Sequence, residues 1–137
     1  MKHLVIENKK ELDREILTLI SESDIREDFD SSADYKFVAK YKDKIVGIIA
    51  YRVVLNGGGK RYPRFVHIIF HKDFKRSKIA YAFARETERL LLRDGFSQAM
   101  AYIRTEKAEM MDLAKKFGYK QYAEDDGGKF FYKDLGG

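Results

Sequence analysis

Between Lys60 and Lys78 the chain carries seven lysines and arginines against one acid, Asp73. The densest part is His71-Lys72-Asp73-Phe74-Lys75-Arg76-Ser77-Lys78, which follows an apolar run and precedes a helical pattern. A helix N-terminus has unpaired backbone N–H groups and a partial positive charge, and so receives anions readily. Lys72, Lys75, Arg76 and Lys78 add four cations at that point. Together they suit a pyrophosphate. The same charges also suit a plain solvated turn, and charge alone does not separate the two readings.

Side chains that move protons near neutral pH are few, since there are 3 His. On a regular strand, His67, Ile69 and His71 share one face. Four residues at about 3.3 Å each put the two imidazoles about 13 Å apart, too far to ligate one metal ion. No metal site is expected. The 0 Cys exclude a disulfide scaffold, a thiolate nucleophile and a cysteine zinc site.

These groups need elements to position them. At 137 residues the chain reads as one domain spanning 1–137. Its 45% hydrophobic and 14% aromatic content is that of a globular protein. The net charge of +5 is uneven: residues 35–104 hold 16 basic and 5 acidic side chains, net +11, and the flanks are acidic. Such a centre favours a phosphate-bearing partner. Nucleic acid ranks low among these, because no RRM, KH or helix-turn-helix signature accompanies Tyr62, Phe65 and Phe74. No apolar run approaches the roughly 18 residues of a membrane span. Met1-Lys2-His3 does not open a secretory leader, so a cytoplasmic location is expected.

Periodicity gives the order. His3–Ile6 reads as a strand, and Asn8 with Glu11 as a capping box before a helix carrying Leu12, Ile16, Leu19 and Ile20. Ile25 and Phe29 would anchor a second short helix or loop. Tyr35–Tyr41 alternates as a strand, Lys42-Asp43-Lys44 turns, and Ile45–Leu55 is an apolar strand interrupted by Gly47 and Arg52. Gly57-Gly58-Gly59-Lys60 is a loop, and Arg64–Phe70 a further strand. A helix over Lys78–Asp94 stops at Gly95, and Ser97–Ile103 is a strand. Thr105 would cap a helix carrying Met110, Leu113, Ala114 and Phe117, ended by Gly118. Two strands flank Asp125-Asp126-Gly127-Gly128 as a hairpin. The expected fold is α+β, a mixed and mostly antiparallel sheet with helices on both faces.

The chain resembles the GNAT family of N-acetyltransferases over nearly its whole length. The resemblance rests on the strand order and three segments. Phe37-Val-Ala-Lys-Tyr-Lys-Asp-Lys-Ile-Val-Gly47 is similar to the family's second and third strands with their recurrent glycine. Phe70-His-Lys-Asp-Phe-Lys-Arg-Ser-Lys-Ile-Ala80 is similar to its acetyl-CoA motif, an aromatic followed by Gln/Arg-x-x-Gly-x-Gly/Ala. Leu113-Ala-Lys-Lys-Phe-Gly-Tyr119 is similar to its late helix.

The resemblance implies acetyl transfer from acetyl-CoA to a primary amine by direct attack. It implies that the backbone of Ile69, Phe70 and His71 holds the pantetheine arm, and that Lys75, Arg76, Ser77, Lys78, Ile79 and Ala80 hold the pyrophosphate. His67 would then lie where substrate meets the thioester and is the candidate base, the plain alternative being a partly buried strand histidine. The sequence departs from the family at four places: Lys75 stands where Gln or Arg is usual, Lys78 replaces its first glycine, Ala114 its acid tyrosine, and Lys107 falls near its asparagine. Tyr102, Tyr119 and Tyr122 are the candidates for the missing acid, Tyr119 first because it follows the late helix. The alternative is a catalytically degenerate module of the same fold that binds a partner.

Overall fold

Apolar side chains recurring every second residue make strands, and those recurring every third or fourth make helices. The computed structural model describes residues 2–23 and 29–136. Among them the order is β1 (Leu4–Asn8), α1 (Arg14–Ser21), β2 (Tyr35–Tyr41), β3 (Lys44–Leu55), β4 (Arg61–Phe70), α2 (Lys78–Arg93), β5 (Gln98–Arg104), α3 (Ala108–Lys116), β6 (Lys120–Glu124) and β7 (Gly128–Asp134). The seven strands form one sheet in the order β1-β2-β3-β4-β5-β7-β6. β4 and β5 are parallel, with Arg64 opposite Met100. The pairs β1–β2, β2–β3, β5–β7 and β6–β7 are antiparallel. This is the expected α+β class with a mixed, mostly antiparallel sheet. No described helix is long and apolar enough to cross a membrane.

The chain divides into two compact units, Met1–Arg52 with Val66–Leu90, and Val53–Phe65 with Leu91–Gly137. In the first unit, Ile16 and Ile20 of α1 bury against Val38, Ile45, Ile48 and Ile69, with Leu12, Leu19 and Phe29 packed around them. Phe83 of α2 meets the next residue of β4, Phe70, with ring centroids 6.3 Å apart. Successive strand residues point to opposite faces, so α1 and α2 cover opposite faces of β4 in this unit. In the second unit, Met111 and Ala114 of α3 bury against Ala101, Ile103 and Phe131, with Phe65, Met110 and Tyr119 beside them.

Several boundaries differ from the sequence reading. α1 is capped by Asp13, whose carboxylate accepts the Ile16 amide, so the Asn8–Glu11 box is not formed. Asn8 ends β1, and its side-chain oxygen accepts the Lys36 amide at 2.9 Å. Both residues suit a cap, but the one beside the periodic run does the capping. Thr105 does not cap α3: its amide donates to the Gly127 carbonyl, and the cap position is Lys107, without a side-chain hydrogen bond. β4 begins at Arg61 and passes through the buried Pro63, earlier than the expected start at Arg64. Ile25 lies outside the described residues.

Candidate functional site

β4 reaches the cationic turn under close restraint. The His71 amide donates to the Val46 carbonyl at 2.8 Å. A Cβ on Gly47 would sit 2.2 Å from the Ile69 carbonyl oxygen and 3.1 Å from the Phe70 Cα. Only glycine therefore allows β3 and β4 to come this close at the stretch singled out from sequence.

The turn is fastened from inside. Phe74 is buried, its amide donates to the His71 carbonyl at 2.9 Å, and its carbonyl accepts from the Ser77 amide at 3.1 Å. Ser77 caps α2: its Oγ accepts the Ala80 amide at 3.1 Å and donates to the Phe74 carbonyl. Arg76 takes φ +58°, a left-handed conformation that an L side chain adopts at a cost. Among the described residues, no acceptor is hydrogen-bonded to the backbone amides of Lys75, Arg76, Lys78 or Ile79. The side chains of Lys72, Lys75, Arg76 and Lys78 are exposed, and Ala80 is buried. The one acid of the turn, Asp73, sits 3.6 Å from the His71 ring and donates its amide to Nδ1 at 3.1 Å. Amide groups at a helix start and exposed cations beside them are the kinds of group that bind an oligophosphate.

The structure surrounds His67 with residues that the sequence reading did not connect. Its ring stacks on Phe29 with centroids 5.0 Å apart, and Nε2 accepts the Asp30 amide at 2.9 Å. Asp30 is itself clasped. Its carboxylate accepts from the guanidinium of Arg52 through Nε, at 3.0 Å, and through Nη2. It also accepts the Ser32 amide at 3.0 Å and hydroxyl at 2.7 Å. The Ser32 hydroxyl and the Arg52 guanidinium hold the Asp30 carboxyl down at about 2. Lys36, buried on β2, donates to the carbonyls of Ser31 and Lys10, each at 2.6 Å. The sequence signal was a lone arginine within the apolar run of β3. A half-buried charge of that kind requires a partner.

The tyrosines lie in the second unit. Tyr119 is half-buried on the α3 core, and its amide donates to the Ala114 carbonyl at 3.0 Å. The Tyr102 hydroxyl donates to Asp125 at 2.9 Å, and that carboxylate raises its pKa. Burial also pushes Tyr122 upward. Both shifts make those two phenols weaker acids.

The sequence matches the family model for the "Acetyltransferase (GNAT) family" over residues 6–119. No curated protein matches it in sequence. Solved structures of similar fold include a Bacillus subtilis acetyltransferase in complex with CoA, at TM-score 0.72 and 14% identity over 96% of this chain and 98% of that one. The PaiA N-acetyltransferase of Thermoplasma acidophilum in complex with coenzyme A gives 0.71 and 17% identity over 95% and 99%. A Pyrococcus horikoshii protein gives 0.70 and 20% over 96% and 98%. At these identities the likeness concerns the fold.

Proposed function

The chain belongs to the GNAT family of acetyltransferases, and on that premise we propose that it moves an acetyl group from acetyl-CoA to a primary amine by direct attack. The observation that carries this reading is the turn into α2, where amides with no acceptor among the described residues adjoin in sequence the exposed Lys72, Lys75, Arg76 and Lys78.

In this reading the backbone of Ile69, Phe70 and His71 lines the pantetheine arm, and residues Lys75, Arg76, Ser77, Lys78, Ile79 and Ala80 hold the pyrophosphate. Ser77 contributes by fixing the turn, since its hydroxyl is already committed at both ends. Lys78, where the family has glycine, is exposed and adds a charge beside the amides. The bound donor supplies an activated acetyl thioester. The amine nitrogen attacks its carbonyl carbon, a C–N bond forms and the C–S bond breaks. His67 takes the proton lost by the amine, and Tyr119 gives one to the departing thiolate. The protein would act in the cytoplasm on a free amine.

Thermal unfolding with and without acetyl-CoA tests the reading. Ligand at 100 times its Kd adds about 2.7 kcal/mol, which raises Tm by several degrees. No shift at millimolar acetyl-CoA overturns it.

The second reading is a degenerate module that binds a partner without turnover. It is favoured by Ala114, which is buried in the α3 core where the family carries its acid. It predicts no acetyl transfer in a broad amine screen, and loss of measured turnover in Tyr119→Phe counts against it.

A further inference from the structure

A neutral imidazole has one lone pair, and that of His67 already accepts the Asp30 amide at 2.9 Å. A base needs the same lone pair to receive a proton from an amine. Both cannot use it at once. The segment that occupies it is held by a defined set of contacts: Phe29 stacks on the ring, the Asp30 carboxylate is gripped by Arg52, Ser32 closes the loop, and Arg52 also reaches the Ser32 hydroxyl at 3.1 Å. The backbone closes it again where the Ala33 amide donates to the Asp30 carbonyl at 3.3 Å.

We propose that residues 29–33 form an autoinhibitory latch, clasped by the Asp30–Arg52 pair, which occupies Nε2 of His67 until an acceptor amine displaces the Asp30 amide. The proposal rests on the reading of His67 as the base. It identifies Arg52 and Asp30 as positioning residues that act through His67. The acceptor then has to offer a donor to Nε2 in place of the amide, which a primary amine does and a tertiary amine does not.

The test uses the full chain and diethyl pyrocarbonate, which acylates unprotonated imidazole nitrogen, with each histidine followed by peptide mass spectrometry. In Arg52→Gln the clasp loosens, and His67 is expected to react at least fivefold faster relative to His71 than in the unchanged chain. Ser32→Ala, at an exposed position, weakens the same clasp and should give a smaller rise even if the Arg52 variant folds poorly. An unchanged relative rate in both variants overturns the latch. Acetyl-CoA binding, followed by thermal shift, separates the two levels. If both proteins bind acetyl-CoA and Arg52→Gln shows severalfold higher kcat/KM for the amine with an unchanged KM for the donor, the latch is supported. If both bind and kcat/KM does not rise, the latch is overturned and the acetyltransferase reading stands. If neither binds acetyl-CoA, both fall.

Discussion

The amide of Tyr119 donates to the carbonyl of Ala114 at 3.0 Å, tying the first residue beyond the α3 stop to the last turn of that helix. Gly118 makes this possible. At φ +90° it takes the left-handed turn, its amide donates to Lys115, and the chain folds back over the last turn of α3. The Tyr119 ring is thereby held against the α3 core, beside Met111 and Ala114.

Tyr119→Phe therefore isolates the hydroxyl. The ring keeps its packing on the α3 core, so the protein should still unfold cooperatively, read by calorimetry. If Tyr119 is the acid, kcat with an amine acceptor falls by about 100-fold, within the usual range for losing a general acid. An unchanged kcat removes Tyr119 from the mechanism.

Gly47→Ala tests the approach of β3 to β4. A Cβ 2.2 Å from a backbone oxygen cannot be absorbed by a side-chain rotation. We expect a loss of about 3 kcal/mol and a fall in Tm of about 10 °C, read by calorimetry. Acetyl-CoA affinity should fall with it, because the displaced backbone is that of Ile69 and Phe70.

Ser77→Ala removes the cap of α2 and the bond to Phe74. Loss of an N-cap serine costs about 1 kcal/mol, or about 3 °C in Tm. The turn loses its inner fastening, so KM for the donor should rise severalfold with kcat little changed. Steady-state kinetics at saturating amine reads both.

The Asp30 carboxyl has a pH signature. It is held at about 2 in the fold against the ordinary 3.8, by the Ser32 hydroxyl and then by Arg52. A depressed carboxyl stabilises fully above its unfolded value, and the contribution is lost as pH falls from 3.8 through about 2. Asp30→Asn should lower stability near neutrality and flatten the fall in denaturation midpoint across that window. An identical acid profile in the two proteins would refute the assignment.

How far the sequence could be read depended on the range of each interaction. α3 and its glycine stop, the last hairpin, and the strand–turn–helix around residues 70–80 rest on local pattern, and they stand within a residue or two of expectation. The cap of α1 is not decided locally, because Asn8 and Asp13 are both good cap residues, and only β1–β2 pairing commits Asn8 to Lys36. The surroundings of His67 were not legible at all. The Asp30–His67 contact spans 37 positions and the Asp30–Arg52 contact 22. No periodicity records such distances, and the one local trace was a charge where an apolar residue was due.

Arg76 bears on how this turn can change. A left-handed arginine costs on the order of 1 kcal/mol relative to a relaxed backbone, and glycine would relieve that strain. The position therefore sets conformational ease against charge. Substitutions that make the fold more robust here also strip a cation from the turn. Selection for thermal stability alone would drift away from arginine, and a screen that retains it is responding to something other than stability.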